Sequence, residues 1–293
     1  MAGLPGLVRP MLATLRRRLP ADQDRYGWEF KWDGVRAIAS VAGRQVRLLS
    51  RNGTDMTASY PELGVLAGRV RAPVIVDGEI VAPHAGRPDF GVLQSRMHVR
   101  RRAARLIDSI PVQLYVFDLL HAGDRPLLGR PYTERRARLE TLGLDADPVR
   151  TPPWYPGGDG EIVLAASLGH DLEGVVGKPL ASRYQPGRRR DWIKIKNVQH
   201  QELVICGWIP GTGGRADMIG SLVLGGYDGA RLRYAGTVGT GFTRAMLADL
   251  IRKLAPLERE TSPFSTPAPP RNTSRALGGT APGRRGRVHR ADQ

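Results

Sequence analysis

Over the first 200 positions, apolar residues recur at two different periods. Alternation suited to a half-buried strand runs through residues 28–41 and again through 44–50, and the Ala-Gly pair between them makes the two a predicted hairpin. VIVDGEIVA at 74–82 and PVQLYVFDLL at 111–120 read as further strands. Asp89 is placed to cap a helix running through Arg105, a second helix is expected from Thr133 to about Leu142, and 159–169 is also helical in pattern. LEGVVGKP and DWIKIK then return to strand. These elements interleave without the even rhythm of a doubly wound sheet, so the expected class is α+β, with antiparallel sheets and helices.

The pattern changes near residues 197–202. ELVICGWIPG, MIGSLVLGGYDG and ARLRYAGTVGTGF are three glycine-punctuated strands, followed by a helix from Thr243 to Leu254, the beginning of a small β-barrel. From about 259 onward Pro, Gly, Ser, Thr and Arg dominate without a period, the composition of a disordered tail. The expected division is therefore 1–199, 200–262 and 263–293. No internal repeat is apparent.

The 293 residues, 41% hydrophobic and 25% charged, suit a globular protein with a real core. The formal charge of +16 favours a polyanionic partner, with nucleic acid first among candidates. The single cysteine, Cys206, excludes an intramolecular disulfide and reads as a small core residue in a reducing compartment. No apolar run reaches the length of a membrane span and the N-terminus lacks a secretory h-region, so the expected location is the cytoplasm. The six histidines show no metal-ligand spacing, which argues against a zinc site.

The basic residues are unevenly divided. Of 44 Lys plus Arg, five are lysines: Lys31, Lys178, Lys194, Lys196 and Lys253. Arginine cannot be deprotonated and cannot act as a nucleophile, so a lysine kept in so arginine-rich a chain suggests a need for an amine. Lys31 stands in FKWDGVRA, where Gly34 allows the turn to open and set the amine against a phosphate. It attacks only when neutral, which requires burial or nearby positive charge. Lys194 and Lys196 share one face of the WIKIK strand and would supply that charge and bind phosphate; the alternative is a solvated edge with two ordinary lysines. Glu79 and Glu173 lie in otherwise apolar strands, where an acid is costly unless it meets a cation, a hydroxyl or an arginine. Two such strands beside a lysine pair would suit a Mg²⁺–nucleotide site. Phe117 is placed to stack on a base, or simply fills the core.

FKWDGVRA, LLSRNG, VIVDGEIVA, LYVFDLL, LEGVVGKP and WIKIKN together, in this order, resemble the motifs of ATP-dependent DNA ligases within the covalent nucleotidyltransferase superfamily. SRYQPGRRRDWIKIK is similar to the small bacterial end-joining type, and the likeness covers roughly residues 8 to 265. The resemblance implies that Lys31 attacks the α-phosphate of ATP to form lysyl-AMP. Glu29 and Phe30 would lie beside the adenine, and Arg36 and Arg51 would contact the ribose and the 5′-phosphate of a nick. Glu79 would hold a ribose hydroxyl or a metal, Phe117 would stack on adenine, and Glu173 would help place Mg²⁺ or Mn²⁺. Lys194 and Lys196 would neutralise the α-phosphate in the transition state. Arg188 and Arg189 would meet DNA. AMP would then pass to the 5′-phosphate of nicked or broken double-stranded DNA, and the 3′-hydroxyl would displace it.

The same resemblance implies a monomer working in repair and non-homologous end joining with a Ku-like end-binding protein and a primase-type polymerase, neither encoded in this chain. The helical DNA-binding domain of larger ligases would be absent. One family feature is missing: a final motif with arginine, aspartate and lysine, normally reached through two more barrel strands. Residues 271–293 carry six arginines, one aspartate and no lysine. The expectation is thus a truncated OB-fold barrel of three strands plus a helix, self-adenylation that is slow or absent, and sealing of a pre-adenylated nick that survives. The rival readings are an RNA ligase or capping-type nucleotidyltransferase, and a catalytically impaired DNA-end-binding module.

Overall fold

The computed structural model describes residues 8–97, 99, 103–197, 203–213, 218–259, 261–264 and 275–277. The chain divides into two compact units, Met1–Asn197 and Val198–Gln293. In the first, the main elements are β1 (Met11–Leu15), β2 (Tyr26–Phe30), β3 (Val35–Ala42), β4 (Gln45–Ser50), β5 (Val74–Val81), β6 (Gln113–Ala122), α1 (Tyr132–Glu140), α2 (Gly160–Gly169), β7 (Gly174–Pro179) and β8 (Gly187–Lys196).

These strands form two main sheets. One has the order β1–β8–β7–β2, closed at its far edge by Tyr155–Pro156. The other runs Val149–Arg150, β6, β5, β3, β4, with Arg125–Pro126 added to β6. Pairing is antiparallel except where β1 meets β8 and Val149–Arg150 meets β6. Met11 from β1 and Trp192 from β8 pack with Ile38, Ile75 and Leu120 from the second sheet, and this buried cluster ties the sheets together. Behind the first sheet, Trp28, Val175 and Ile193 pack with Val163 of α2. Each such side chain fully buried contributes roughly 1.5–3 kcal/mol.

The expected hairpin over 28–41 and 44–50 is half right. The antiparallel pair is β3 with β4, whereas residues 26–30 belong to the other sheet. The chain crosses between sheets at Lys31–Gly34. The Lys31 N–H still donates to the Gly174 carbonyl at 2.8 Å, and four residues later Val35 pairs with Ile80. A Cβ on Gly34 would sit 2.2 Å from the Ile80 carbonyl oxygen, so only glycine passes there. The candidate nucleophile therefore stands at the switch between two sheets.

The helix expected from Asp89 through Arg105 is also shorter. Asp89 does cap it, accepting from the Val92 N–H at 3.0 Å, but the α-helix is Phe90–Gln94. The chain then turns to bury the Arg96 guanidinium, which donates to Glu62 at 2.6 Å and to the carbonyls of Ser59 and Ile110 at 2.8 and 2.9 Å. Continuing the helix would forgo those bonds. Residues 98 and 100–102 lie outside the described residues.

In the second unit, β9 (Val204–Pro210), β10 (Ile219–Asp228) and β11 (Arg231–Val238) form an antiparallel meander, and α3 (Arg244–Leu254) follows with Thr243 as its cap. Two short strands extend the sheet, β12 (Glu258–Arg259) and β13 (Arg275–Leu277), giving the order β11–β10–β9–β13–β12. This corrects the expectation of three strands plus a helix, and of a strandless stretch after 262. β13 covers the outer edge of β9, pairing Gly207 with Ala276, and a three-residue strand is too short to show a period. Among the described residues the sheet stays open, with no pairing between β11 and β12. The rest of the expected tail falls outside the described residues.

Candidate active site

Between the two sheets of the first unit lies a cleft of about 190 Å³. Its wall includes Glu29, Phe30, Lys31, Arg36, Arg51, Glu79, Phe117, Arg188 and Lys194, residues spread over more than 160 positions of sequence and all singled out above. Lys31 forms an ion pair with Glu173, whose other carboxylate oxygen lies 3.3 Å from Lys196 Nζ. Glu173 and Lys196 thus join the site through that carboxylate. Arg189 is exposed and not part of the wall; its carbonyl accepts from the Thr14 hydroxyl at 2.7 Å.

Each position follows from the sheets. Lys31 directly follows β2, Glu173 precedes β7, and β2 and β7 pair with Phe30 opposite Val175. Lys194 lies on β8 opposite Val176, which faces Glu29 on the other side. From the second sheet, Arg36 on β3 stands beside Glu79 on β5, and Glu79 beside Tyr115 on β6. Phe117 follows two residues later on the same face of β6.

Charge in the cleft is arranged unevenly. Burial lowers the Lys194 pKa, and the neighbouring ammonium groups of Lys31 and Lys196 lower it further. Burial pushes the Glu79 carboxyl up to about 7, against the opposing pull of Arg36 and Lys31. Asp33 is raised too, first by burial and then by Glu173. The cleft thus holds acids that a cation would relieve, next to amines suited to a phosphate.

Arg36 is more tightly committed than its expected role suggested. Its Nε and Nη2 donate to the two oxygens of buried Asp77 at 2.6 and 2.7 Å, and the guanidinium lies 4.5 Å from the centre of the Phe117 ring. Asp77 also accepts from the Tyr184 hydroxyl at 2.5 Å, and that hydroxyl accepts from the Met11 N–H at 2.9 Å.

Sequence reasoning missed Lys178. It is buried, donates to Glu29 at 2.7 Å, and its ammonium sits 4.5, 4.9 and 4.4 Å from the ring centres of Phe117, Tyr132 and Trp192. Glu29 also accepts from the Tyr132 hydroxyl. The rarity of lysine, applied to all five, was the available signal.

A two-sheet unit with a lysine at the sheet switch, lining the cleft between the sheets, has the architecture of a nucleotidyltransferase fold. The sequence profile described as ATP dependent DNA ligase domain matches residues 10–196, and that described as ATP dependent DNA ligase C terminal region matches 215–277. The chain belongs to the ATP-dependent DNA ligase family. It is 41% identical over 268 residues to the multifunctional non-homologous end joining protein LigD of Mycobacterium bovis, covering 90% of this chain and 34% of that protein. It is 37% identical over 260 residues to DNA ligase C of Mycobacterium tuberculosis, covering 85% of this chain and 71% of that one. Against the structure of mycobacterial DNA ligase D complexed with ATP and MES, the TM-score is 0.59 at 38% identity, with 92% of this chain and 85% of that chain covered. The chain spans about a third of the length of the LigD proteins it matches. Its fold is the ligase nucleotidyltransferase fold, antiparallel sheets with few helices. Among the described residues, no helix is long and apolar enough to cross a membrane.

Proposed function

We propose that this chain joins DNA strands through a lysyl-AMP intermediate on Lys31. One observation carries the reading: Lys31 directly follows a strand of one sheet at the switch to the other, ion-paired to Glu173 and lining a cleft that also holds Lys194 and Glu79. Lys31 must give up one proton to solvent and leave the Glu173 pair before its Nζ attacks, and a second N–H proton passes to solvent as the phosphoramidate forms. The N–P bond to the α-phosphorus of ATP then forms as the bond to the β-phosphate breaks, and pyrophosphate departs with the electron pair. Lys194 and Lys196 neutralise charge on the phosphate oxygens. A 5′-phosphate oxygen of the DNA next takes the AMP, breaking the N–P bond, and the 3′-oxygen displaces AMP to close the strand.

The base would rest against Phe30, Phe117 and Glu29, with Lys178 and Tyr132 holding Glu29 in place. Arg36, pinned by Asp77, offers its remaining edge to the ribose or the nick phosphate, and Arg51, Arg188 and Arg189 supply further positive charge for DNA. Among the described residues no group of three or more His, Cys, Asp or Glu is placed to hold a metal ion. Mg²⁺ needs only one or two carboxylates plus phosphate oxygens, and the charge on buried Glu79 is costly without a cation, so the residues fit. Glu79 and Glu173 would hold Mg²⁺ or Mn²⁺, which screens the phosphates.

The wider assignment rests on the relatives. We place the chain in end joining of broken DNA, in the cytoplasm, as a monomer beside a Ku-like end-binding protein and a primase-type polymerase. We divide it into a catalytic domain over 1–199 and an OB-type domain from 200, with self-adenylation slower than sealing. The test uses two tubes of one preparation. Incubation with α-labelled ATP and Mg²⁺ is expected to label Lys31, and a pre-adenylated nick without ATP is expected to be sealed faster. No label and no sealing would sink the proposal; label on another residue would sink the role of Lys31.

A further inference from the structure

The first sheet ends at β1, an edge strand, and along that edge Arg16, Arg17, Arg18 and Arg190 have no role in the chemistry above, while Arg188 and Arg189 have only a general one toward DNA. Arg16, Arg17 and Arg18 follow β1 directly and are exposed, and the Arg16 N–H donates to the Lys194 carbonyl at 2.9 Å. This backbone bond holds the first arginine of the triplet against the strand that carries Lys194.

The other end of the edge is basic as well. Between the partners Leu12↔Arg188 and Thr14↔Ile193 the register shifts, so residues 189–192 stand opposite Ala13 alone. The irregularity pushes Arg189 and Arg190 outward, exposed like Arg188, whose Nη1 reaches the Ala13 carbonyl at 3.5 Å. Among the described residues none of these six arginines has a carboxylate partner within 4.0 Å. Nearby Asp22 is instead paired with Arg25 at 3.3 Å. The charge of Arg188 reaches Lys194, contributing to its lowered pKa after burial, Lys31 and Lys196.

From Leu12 to Arg16 the strand advances roughly 13 Å. Projected on the duplex axis, that is about four base steps of one DNA strand at about 3.4 Å each. Unpaired guanidinium groups at both ends of such a span suit phosphates about four steps apart on one backbone. We infer that Arg16, Arg17 and Arg18, with the bulge arginines 188–190, form a rail along β1 that grips the sugar-phosphate backbone of duplex DNA beside the nick. The rail deepens the strand-joining reading and rests on it. It positions DNA without reading bases. The competing role for such charges is to guard an exposed edge against pairing with another chain.

The test is the salt dependence of binding to a fluorescein-labelled nicked duplex, followed by anisotropy from about 50 to 200 mM salt. Each lost phosphate contact removes about 0.9 from the slope of log K against log salt. The triple variant Arg16→Gln, Arg17→Gln, Arg18→Gln is expected to lower the magnitude of the slope by about 2 to 3 and to weaken binding roughly ten- to a hundredfold at low salt. Its self-adenylation with ATP alone is expected to match the parent. The corresponding triple lysine variant is expected to keep most of the slope. An unchanged slope in the glutamine variant overturns the rail. So does equal weakening by lysine and glutamine, since charge would then not be the cause, and so does aggregation with unaltered DNA affinity, the mark of edge protection. Absence in the parent of both self-adenylation and sealing of a pre-adenylated nick would count against the strand-joining reading alone, because the salt slope is read without ATP.

Discussion

The first unit contains two lysine–glutamate pairs with the same chemistry and opposite surroundings. Lys31 and Glu173 meet at the mouth of the cleft, with 18% and 25% of their side chains exposed. Lys178 and Glu29 meet in its floor, 1% and 6% exposed. Water at the mouth lets the first pair open cheaply, as the nucleophile role proposed for Lys31 requires. The second is held by three aromatic rings and the Tyr132 hydroxyl, and opening it would leave a bare buried charge. One pair is built to part and the other to stay.

The sharpest way to break that contrast is at Lys31. Lys31→Arg keeps a cation for Glu173 but removes the proposed nucleophile. Adenylate formation is expected to fall by more than about a thousandfold, the scale lost with an essential nucleophile, while the melting temperature stays close to the parent's. Labelling with α-labelled ATP beside a thermal scan reads both, and an arginine variant that still accepts AMP would end the assignment.

Lys178→Met should reverse that profile. It strands Glu29 without its strongest partner, a change that costs about 3–5 kcal/mol for a buried pair. The unfolding midpoint is expected to drop sharply, and adding Glu29→Gln is expected to recover part of the loss. If Lys178→Met proves as stable as the parent, the floor pair is not architectural.

Glu79 lines the cleft and, among the described residues, has no cationic partner within 4.0 Å. Burial raises its pKa from 4.5 to about 7. Between those values the folded chain binds more protons than the unfolded one, so the stability of the ligand-free protein falls as pH rises from 4.5 to 7 and levels above it. The decline is on the order of 3 kcal/mol. Glu79→Gln should flatten it, which denaturant titrations at pH 5 and pH 8 would show. If the parent gains stability over that interval, the burial argument fails.

How much of this was legible in the sequence depends on how local each signal is. Lys31, Glu79, Phe117 and Glu173 stand in contiguous motifs; the lysine and the two acids are types that a buried strand seldom tolerates, and Phe117 drew notice only through the motif around it. Extended backbone continues through a change of sheet, and only the tight packing at Gly34 separates a switch from a hairpin. The early end of the helix at Gln94 is set by Arg96, whose partners Glu62, Ser59 and Ile110 lie in other segments. Lys178 was overlooked because a lysine is expected at the surface, and what buries it are rings from β6, α1 and β8. In the second unit, Arg275–Leu277 is defined by its neighbour's edge rather than by a pattern of its own.

The smallest expected effect is at the hydroxyl that completes the floor pair. Tyr132 donates to one oxygen of Glu29 while Lys178 holds the other, so Tyr132→Phe removes a bond and leaves the charge compensated. A hydrogen bond to a charged group is worth about 2 kcal/mol, and that is the expected loss of stability. Burial, and next the charge of Glu29, hold the Tyr132 pKa well above its ordinary value, so the phenol remains a donor at any working pH and the loss should not vary between pH 6 and 8. A loss as large as that of Lys178→Met would mean that the ring, the hydroxyl and the ammonium act as one unit. A double variant, compared with the two single ones, would then show a coupling well above 1 kcal/mol.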